Sequence, residues 1–142
     1  GRKSITVSGS DTAGNVGSAQ CKYSVVYRVS RFRAPVDNGT IVNTAIAGRR
    51  VPFLFSVTDA TGSPVRNLTT ATTASVVHTC TGGAFTDRIE TYTRRSAGLV
   101  HLGGGDYRYT FQTRARWVHS CRTLSIDLGD GAWRSAEFRF PR

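Results

Sequence analysis

The sequence contains no methionine, only nine acidic residues against 19 basic ones, and no run of the roughly 20 apolar residues that cross a membrane. Runs rich in leucine and alanine, which favour helices, are nearly absent. No basic-then-apolar leader opens the chain. We therefore expect a soluble protein without a membrane span, whose signal peptide, if it has one, has been removed or lies outside this sequence.

What is present favours strands. The 142 residues are enough for one ordinary domain with a proper core and some residues to spare. Hydrophobic residues make up 39%, valine, threonine, phenylalanine and tyrosine are frequent, and there are 15 glycines. Such a composition is typical of β-proteins with tight turns.

The charge is strongly unbalanced: the net charge is +10, and 17 of the 19 basic residues are arginine. A field of this sign attracts anionic partners such as nucleic acid, phosphate-rich wall polymers or acidic polysaccharide. The arginines are dispersed in pairs and short clusters, however, which argues against a dedicated nucleic-acid groove. Solvent-facing strand positions are the simpler interpretation of these side chains.

The first thirty residues read as a β-hairpin. Ile5 and Val7 alternate with polar residues, Asp11 to Asn15 form a turn, and a second strand ends near Val25. The D-x-A-G-N turn resembles the last two strands of bacterial Ig-like repeats. Since two strands do not stand alone in water, the hairpin either belongs to a repeat whose other strands are missing or packs onto the following module.

From residue 31 onward, short strands alternate with turns. In VPFLFSV, the residues Val51, Phe53, Phe55 and Val57 share one face. The same alternation recurs in YRYTFQ, CRTLSIDL and AEFRF, whose core-facing residues are Tyr107, Tyr109, Phe111, Leu124, Ile126, Leu128, Ala136, Phe138 and Phe140. Strands are also predicted at 74–80 and 89–93. Turn signals about 8–12 residues apart, without an amphipathic helix, predict an all-β antiparallel Ig-like β-sandwich with an N-terminal β-hairpin.

Two distant segments carry a family resemblance: FRAPVDNG with GRRVPFLFSV (Phe32 to Val57), and WVHSCRTLSIDLGDG with AEFRF (Trp117 to Phe140). Over about residues 31–142 the chain resembles the PxKF-type C-terminal module of secreted actinobacterial proteins. The resemblance implies an exported, disulfide-closed β-sandwich that is a non-catalytic accessory module. Leu54 stands where the family name has lysine, so a function needing a cation there does not transfer.

The resemblance also implies that Cys80 and Cys121 form a disulfide bond, because they match the family's pair. The alternative is two free buried thiols in a cytosolic protein, which an exported architecture disfavours. Cys21 is the odd cysteine. In an Ig-like repeat it would pair with a strand that this sequence lacks, and no nearby histidine or acid activates it as a nucleophile.

No pattern of catalytic or metal-binding residues occurs. His78, His101 and His119 are isolated from one another, and there is no nucleophile elbow or phosphate loop. The oxygen-rich pairs Asp11 with Asn15 and Asp37 with Asn38 fit turn-capping better than calcium. We therefore predict no enzyme activity, no cofactor and no metal.

A binding function, if present, depends on the aromatic residues. Trp133, Tyr107, Arg134 and Arg116 are the candidate binding residues, since exposed aromatic rings beside arginines stack on sugars or bases. Trp133 alternates with the polar residues of the last strand and is the better candidate for exposure. Trp117, four residues before Cys121, is expected in the core.

The sequence thus predicts two parts: residues 1–30, a terminal hairpin of an Ig-like repeat or added strands, and residues 31–142, a disulfide-closed β-sandwich. The predicted function is that of an accessory module in a secreted multidomain protein, with a structural or cell-surface attachment role. The alternative is a module that binds polysaccharide or cell wall. The expected partners are other domains of the same polypeptide and anionic or neutral polysaccharide, with nucleic acid ranked last.

Overall fold

The computed structural model describes residues 2–141, which are mainly β-strand and turn. The strands are β1 (Arg2–Ser10), β2 (Val16–Ser24), β3 (Arg28–Val29), β4 (Val42–Thr44), β5 (Arg50–Thr58), β6 (Thr72–His78), β7 (Thr86–Arg88), β8 (Gly98–Gly103), β9 (Asp106–Gln112), β10 (Ser120–Asp127) and β11 (Trp133–Phe140). The only helical element of the described residues is a single 3-10 turn, Ala115–Trp117. The all-β prediction is confirmed. Within residues 2–141, no helix has the length and apolar character needed to cross a membrane.

Strands β1 and β2 form a separate two-stranded antiparallel sheet. Asp11 closes the turn between them: its carboxylate accepts hydrogen bonds from the backbone N–H groups of Ala13 and Asn15, both at 2.9 Å, and from the Asn15 side chain at 2.8 Å. This is the predicted turn-capping role. Every residue from 2 to 26 is exposed, so the hairpin does not contribute to the core of the main part of the chain.

The remaining strands form two sheets that face each other. One sheet has four strands in the order β3-β5-β9-β8, and the other has five in the order β6-β10-β11-β4-β7. Most neighbours are antiparallel, but β4 pairs with β11, and β7 with β4, in parallel. β4 and β7 have only three residues each, and both parallel pairs join strands that are more than 40 residues apart in sequence, as the crossover connections of parallel strands require.

Aromatic residues of both sheets fill the space between them. Phe53 of β5 lies 5.7 Å from Phe138 of β11, measured between ring centroids, and this contact joins the two sheets. Phe32 packs edge-on against Phe53 at 5.0 Å, and Trp117 packs against Phe140 at 5.6 Å. The predicted inward faces of β5, β10 and β11 are buried, and Trp117 lies in the core as expected.

The main module (residues 27–141) begins a few residues before the boundary at 31 that the resemblance indicated. Arg28 and Val29 pair with Thr58 and Val57 of β5, and Tyr27 packs against the core. The strand predicted at 89–93 is not present. The nearest strand, β7, ends at Arg88, and the side chain of Ile89 is buried in the core at 2% exposure.

A candidate binding groove on the five-stranded sheet

Trp133 lies at the start of β11, on the outer face of the five-stranded sheet, and is 50% exposed. Ser135, Glu137 and Arg139 share that outer face, because side chains two residues apart in a strand point the same way. Sequence alternation placed this row of residues correctly. It runs the length of the strand from Trp133 to Arg139.

Tyr107, in contrast, is fully buried. Its hydroxyl donates a hydrogen bond to the carbonyl of Val65 at 3.0 Å and accepts one from the N–H of Leu68 at 3.2 Å. The ring packs against Phe55. Tyr107 is therefore a core residue that anchors the 65–68 segment, and it presents no ring face to a ligand in solution.

Arg134 forms part of a structural cluster that we call the Asp130–Arg134 clamp (Tyr27, Asp130 and Arg134). Its two terminal nitrogens each donate to one oxygen of Asp130 at 2.6 Å, and Nη2 also donates to the carbonyl of Tyr27 at 3.0 Å. The N–H of Tyr27 donates to Asp130 at 2.8 Å. Because these interactions occupy the guanidinium, Arg134 serves the fold and is not free for a ligand.

The clamp also sets the ionisation of Asp130, whose side chain is completely buried. Burial alone raises the pKa of a carboxyl group, but here the hydrogen bonds from Arg134 and from the backbone N–H groups of Tyr27 and Ala132 outweigh it. The pKa of Asp130 consequently lies well below its usual range. Asp130 is ionised in the folded protein at neutral pH.

Arg116 is exposed but lies at the opposite end of the sheet from Trp133. It belongs to the 3-10 turn just before β10, whose first residue, Ser120, pairs with Phe140. Trp133 pairs with Asp127 at the other end of the same two strands, about 20 Å away at roughly 3.3 Å per residue. The four candidate residues therefore do not form one site.

A different part of the same sheet face has the shape of a binding site. Residues 79–85, here called the crossing loop, lead from β6 at one edge of the five-stranded sheet to β7 at the other. The Cys80–Cys121 disulfide fastens the start of this loop to β10. Its last carbonyl, that of Phe85, accepts a hydrogen bond of 2.9 Å from the N–H of Val42 in β4.

Beside the crossing loop and over the sheet is a groove of ≈ 790 Å³, which we call the crossing-loop groove. This volume is in the range of small-ligand sites, which is roughly 300–1,000 Å³. The sheet residues that line the groove come from all five strands: Val42, Val76, His78, Thr86, Cys121, Thr123, Glu137 and Arg139.

A polar network lies at the centre of this groove. Thr123 donates a hydrogen bond to Glu137 Oε1 at 2.8 Å, and His78 Nε2 lies 2.7 Å from Glu137 Oε2. The other ring nitrogen of His78 lies 3.0 Å from the carbonyl oxygen of Thr79. Both ring nitrogens of His78 are therefore within hydrogen-bonding distance of an oxygen, which fixes the orientation of the ring. Each oxygen of Glu137 keeps a lone pair that can accept a hydroxyl of a ligand.

Two further side chains border the groove without being used by the fold. Phe85, on the crossing loop, is 82% exposed. Arg139 is exposed, and its guanidinium makes no hydrogen bond or ion pair with the part of the chain that the structure describes. An apolar ring, an unpaired cation and a hydrogen-bonding carboxylate thus surround one concave surface.

Within 2–141, no group of three or more histidine, cysteine or acidic side chains is arranged to hold a metal ion. Asn38 binds the backbone of Phe32 through its amide, at 2.8 and 2.7 Å. Cys21 is an exposed free thiol on β2.

Sequence reasoning missed the groove because its residues are scattered over five strands and two loops. The signal closest to it was the glycine-rich stretch TCTGGAF, which carries a phenylalanine just after a cysteine expected to be bridged. Had that loop been recognised as crossing a sheet, Phe85 would have stood out as an apolar side chain without a core position. His78, at the end of β6, has hydrogen-bonding partners for both ring nitrogens and is an exposed residue.

Comparison with known proteins gives little further information. No family model matches the chain, and no curated protein matches its sequence. One solved structure, that of the S-layer protein SbsC domains 4 and 5, is similar at 12% identity with a TM-score of 0.36. The match covers 87% of this chain and 58% of that chain, so this chain spans less than two thirds of its length.

Proposed function

We propose that the chain is a non-catalytic accessory module of a secreted multidomain protein, with a structural or cell-surface attachment role. The observation that carries the proposal is the exposed apolar face of the N-terminal hairpin. Register pairs Ile5 with Cys21 and Val7 with Ala19, so these four side chains share one face. Ile5 is 51% and Val7 62% exposed.

A partner for this face is expected on energetic grounds. A two-stranded sheet is at best marginally stable in water unless another layer covers its apolar side. The main module does not supply that layer, since residues 2–26 are exposed throughout. We propose that a neighbouring β-domain of the same polypeptide covers the hairpin, as in the Ig-like repeats that its turn resembles.

The disulfide supports the exported location within this proposal. The Cys80–Cys121 bond joins two strand-associated positions of a compact domain. Such bonds persist in oxidising compartments and are rare in the cytosol. An extracellular module with an unpaired cysteine on its hairpin fits a chain in which Cys21 has its partner in the neighbouring domain.

Hydrogen exchange of the chain by itself tests this proposal. We expect the amides of β1 and β2 to exchange rapidly while those of β10 and β11 are protected, because only the latter are in a covered sheet. Cys21 should react with a thiol reagent in the native protein. When the preceding β-domain is included in the same polypeptide, both the amides and the thiol should become protected.

Two results would contradict the proposal. Strong protection of β1 and β2 in a monomeric chain would show that the hairpin needs no partner. A dimer linked through Cys21 at micromolar concentration would show that the apolar face serves a second copy of this chain. Sedimentation of the wild-type chain and of Cys21→Ser separates these two outcomes.

A further inference from the structure

We propose that the crossing-loop groove binds a segment of an anionic polysaccharide, with an acidic group of the polymer against Arg139 and a sugar ring against Phe85. This inference goes beyond the accessory role. It does not depend on the hairpin or on a neighbouring domain, because every contributing residue belongs to the main module.

The negative charge of the ligand follows from the charges on this sheet face. Arg139 lines the groove. Arg88 of β7 lines a separate cavity beside it and lies in the same register row, through Thr44 of β4, so the two arginines are about 10 Å apart, two strand spacings of roughly 4.8 Å. Neither guanidinium has an acidic partner among the described residues. The one carboxylate among the residues that line the groove, Glu137, accepts a hydrogen bond from Thr123 and lies 2.7 Å from His78. An acidic group is therefore the complement that this surface lacks.

The net charge of +10 acts in the same direction. A long polyanion experiences the field of the whole molecule, which raises its local concentration near an unpaired basic row. A neutral ligand gains nothing from this field. Long-range attraction brings the polymer to the protein, and the arginine row selects where its acidic groups are held.

The chemistry of the rest of the groove fits a sugar. Phe85 exposes most of its ring, and covering that ring with the C–H face of a sugar removes apolar area from water. Thr123 and His78 fix the Glu137 carboxylate through bonds of 2.8 and 2.7 Å, which leaves an oriented acceptor for sugar hydroxyls. An apolar wall with a few oriented polar groups is the usual composition of a small-ligand site.

The geometry of β11 favours a polymer over a monosaccharide as the ligand. Trp133 lies on the same outer face as Arg139, six residues earlier in β11 and therefore about 20 Å away. A chain that follows β11 from the groove reaches this second exposed aromatic ring. A monosaccharide occupies only one of the two positions.

Affinity electrophoresis of the purified chain provides the test. The native gels contain polygalacturonate, a wall teichoic acid or a neutral β-glucan, at physiological salt. We expect retardation by the two anionic polymers and none by the glucan. The ratio between polygalacturonate and teichoic acid then decides whether the acidic group recognised is a carboxylate or a phosphate.

Matched variants locate the site. Arg139→Gln and Arg94→Gln remove the same charge, but Arg94 lies outside the groove. We expect Arg139→Gln and Phe85→Ala each to weaken retardation by about tenfold, equivalent to about 1.4 kcal/mol, and Arg94→Gln to leave it within about twofold. Trp133→Ala should weaken the binding of long polymers while leaving short oligosaccharides unaffected.

Three outcomes would overturn the proposal. No retardation by any polymer would exclude the ligand class. Equal effects of Arg139→Gln and Arg94→Gln, with Phe85→Ala neutral, would show diffuse surface charge without a site. Equal retardation by the neutral glucan would show that the arginine row plays no part.

A titration of the wild-type chain guards against variants that misfold. Two-dimensional NMR with a short oligogalacturonate should shift the amide signals of Val42, Val76 and Phe85 in a saturable manner. Shifts confined to the region of Trp133, or spread over many arginines, would contradict the assignment to the groove. This experiment leaves the hairpin proposal untouched, because it monitors only residues of the main module.

Discussion

Replacing Asp130 with asparagine should destabilise the main module more than any surface carboxylate replacement. Asp130 is completely buried, and Arg134 is only 17% exposed. Asp130→Asn keeps the shape of the side chain but removes its negative charge. The Arg134 guanidinium is then left largely buried with no counter-charge.

The magnitude follows from the contacts that are lost. The carboxylate accepts two bonds of 2.6 Å from Arg134 and one of 2.8 Å from the N–H of Tyr27. Removing one partner of a buried ion pair costs about 3–5 kcal/mol, because an uncompensated charge remains. Asparagine retains one acceptor oxygen, so we expect a loss of about 3 kcal/mol, at the lower end of that range.

Urea unfolding followed by tryptophan fluorescence measures this loss. With a slope of about 2 kcal/mol per M, the midpoint should fall by about 1.5 M. Asp59→Asn is the control: Asp59 also accepts two backbone bonds of 2.9 Å, from Thr61 and Ser63, but lies in an exposed turn. Its replacement should shift the midpoint much less.

The pH dependence gives a second readout with a defined sign. The pKa of Asp130 is lowered on folding, so its contribution is present above the unfolded value, about 4, and is lost as the pH falls toward the folded value. The difference between wild type and Asp130→Asn should therefore be largest near pH 7 and should shrink below pH 4.

A double-mutant cycle with Arg134→Met identifies the cause. The ion-pair argument requires a coupling well above 0.5 kcal/mol, roughly the additivity limit for independent sites. The reasoning is refuted if the two replacements are additive, or if Asp130→Asn destabilises no more than Asp59→Asn.

Three further predictions concern other parts of the main module. Cys80→Ser opens a bridge between residues 41 apart in sequence and should cost about 4 kcal/mol in the chain-entropy model, measured by urea unfolding; an effect below about 1 kcal/mol would contradict that account. Asp37→Asn should raise stability at pH 7 and not at pH 3. The pKa of Asp37 is raised by burial first, then by its hydrogen bond to Asp87 and by repulsion from Asp87 and Glu90, so ionising this group at higher pH disfavours the folded state. Thermal unfolding at both pH values checks the sign. Gly105→Ala should lower the free energy of unfolding by about 1–3 kcal/mol more than Gly62→Ala, as urea unfolding of both variants would show. Both glycines have a positive φ, but of the two only Gly105 would bring the new methyl group against a backbone atom, the Val57 carbonyl oxygen at 2.9 Å. Equal losses would show that the backbone adjusts freely.

Local alternation predicted the strands that cover the core. VPFLFSV is β5, YRYTFQ lies in β9, and the inward residues Leu124 and Phe138 of β10 and β11 are fully buried. A hydrophobic period of two residues is enough to predict a strand in these segments, because each has one buried face and one more exposed face. The short strands β3, β4 and β7 were not found: two or three residues contain no period to recognise, and neighbours distant in sequence define them.

The candidate site was harder to predict for a related reason. Alternation correctly placed Trp133 on an outer face, but proximity in sequence wrongly made Arg134 its partner for a ligand. The clamp that occupies Arg134 needs Tyr27, 107 residues earlier, as well as Asp130. Tyr107 was a candidate binding residue, although it shares one strand face with Phe111 and both are buried. The crossing-loop groove depends on the path of residues 79–85 across the sheet, and the alternation of polar and apolar residues does not predict the path of a loop.

The clamp also bears on how the two proposals combine. By holding both the N–H and the carbonyl of Tyr27, it fixes the point where the chain from the hairpin meets the main module, close to the turn between β10 and β11. Trp133 begins β11 at this end, whereas Glu137 and Arg139 line the groove at the other end of the strand. A neighbouring domain attached through the hairpin would join the main module about 20 Å from the groove, since six strand residues separate Trp133 from Arg139. Attachment to a neighbour and binding in the groove therefore use opposite ends of one sheet, whereas the contact that a long polymer makes with Trp133 lies at the hairpin end.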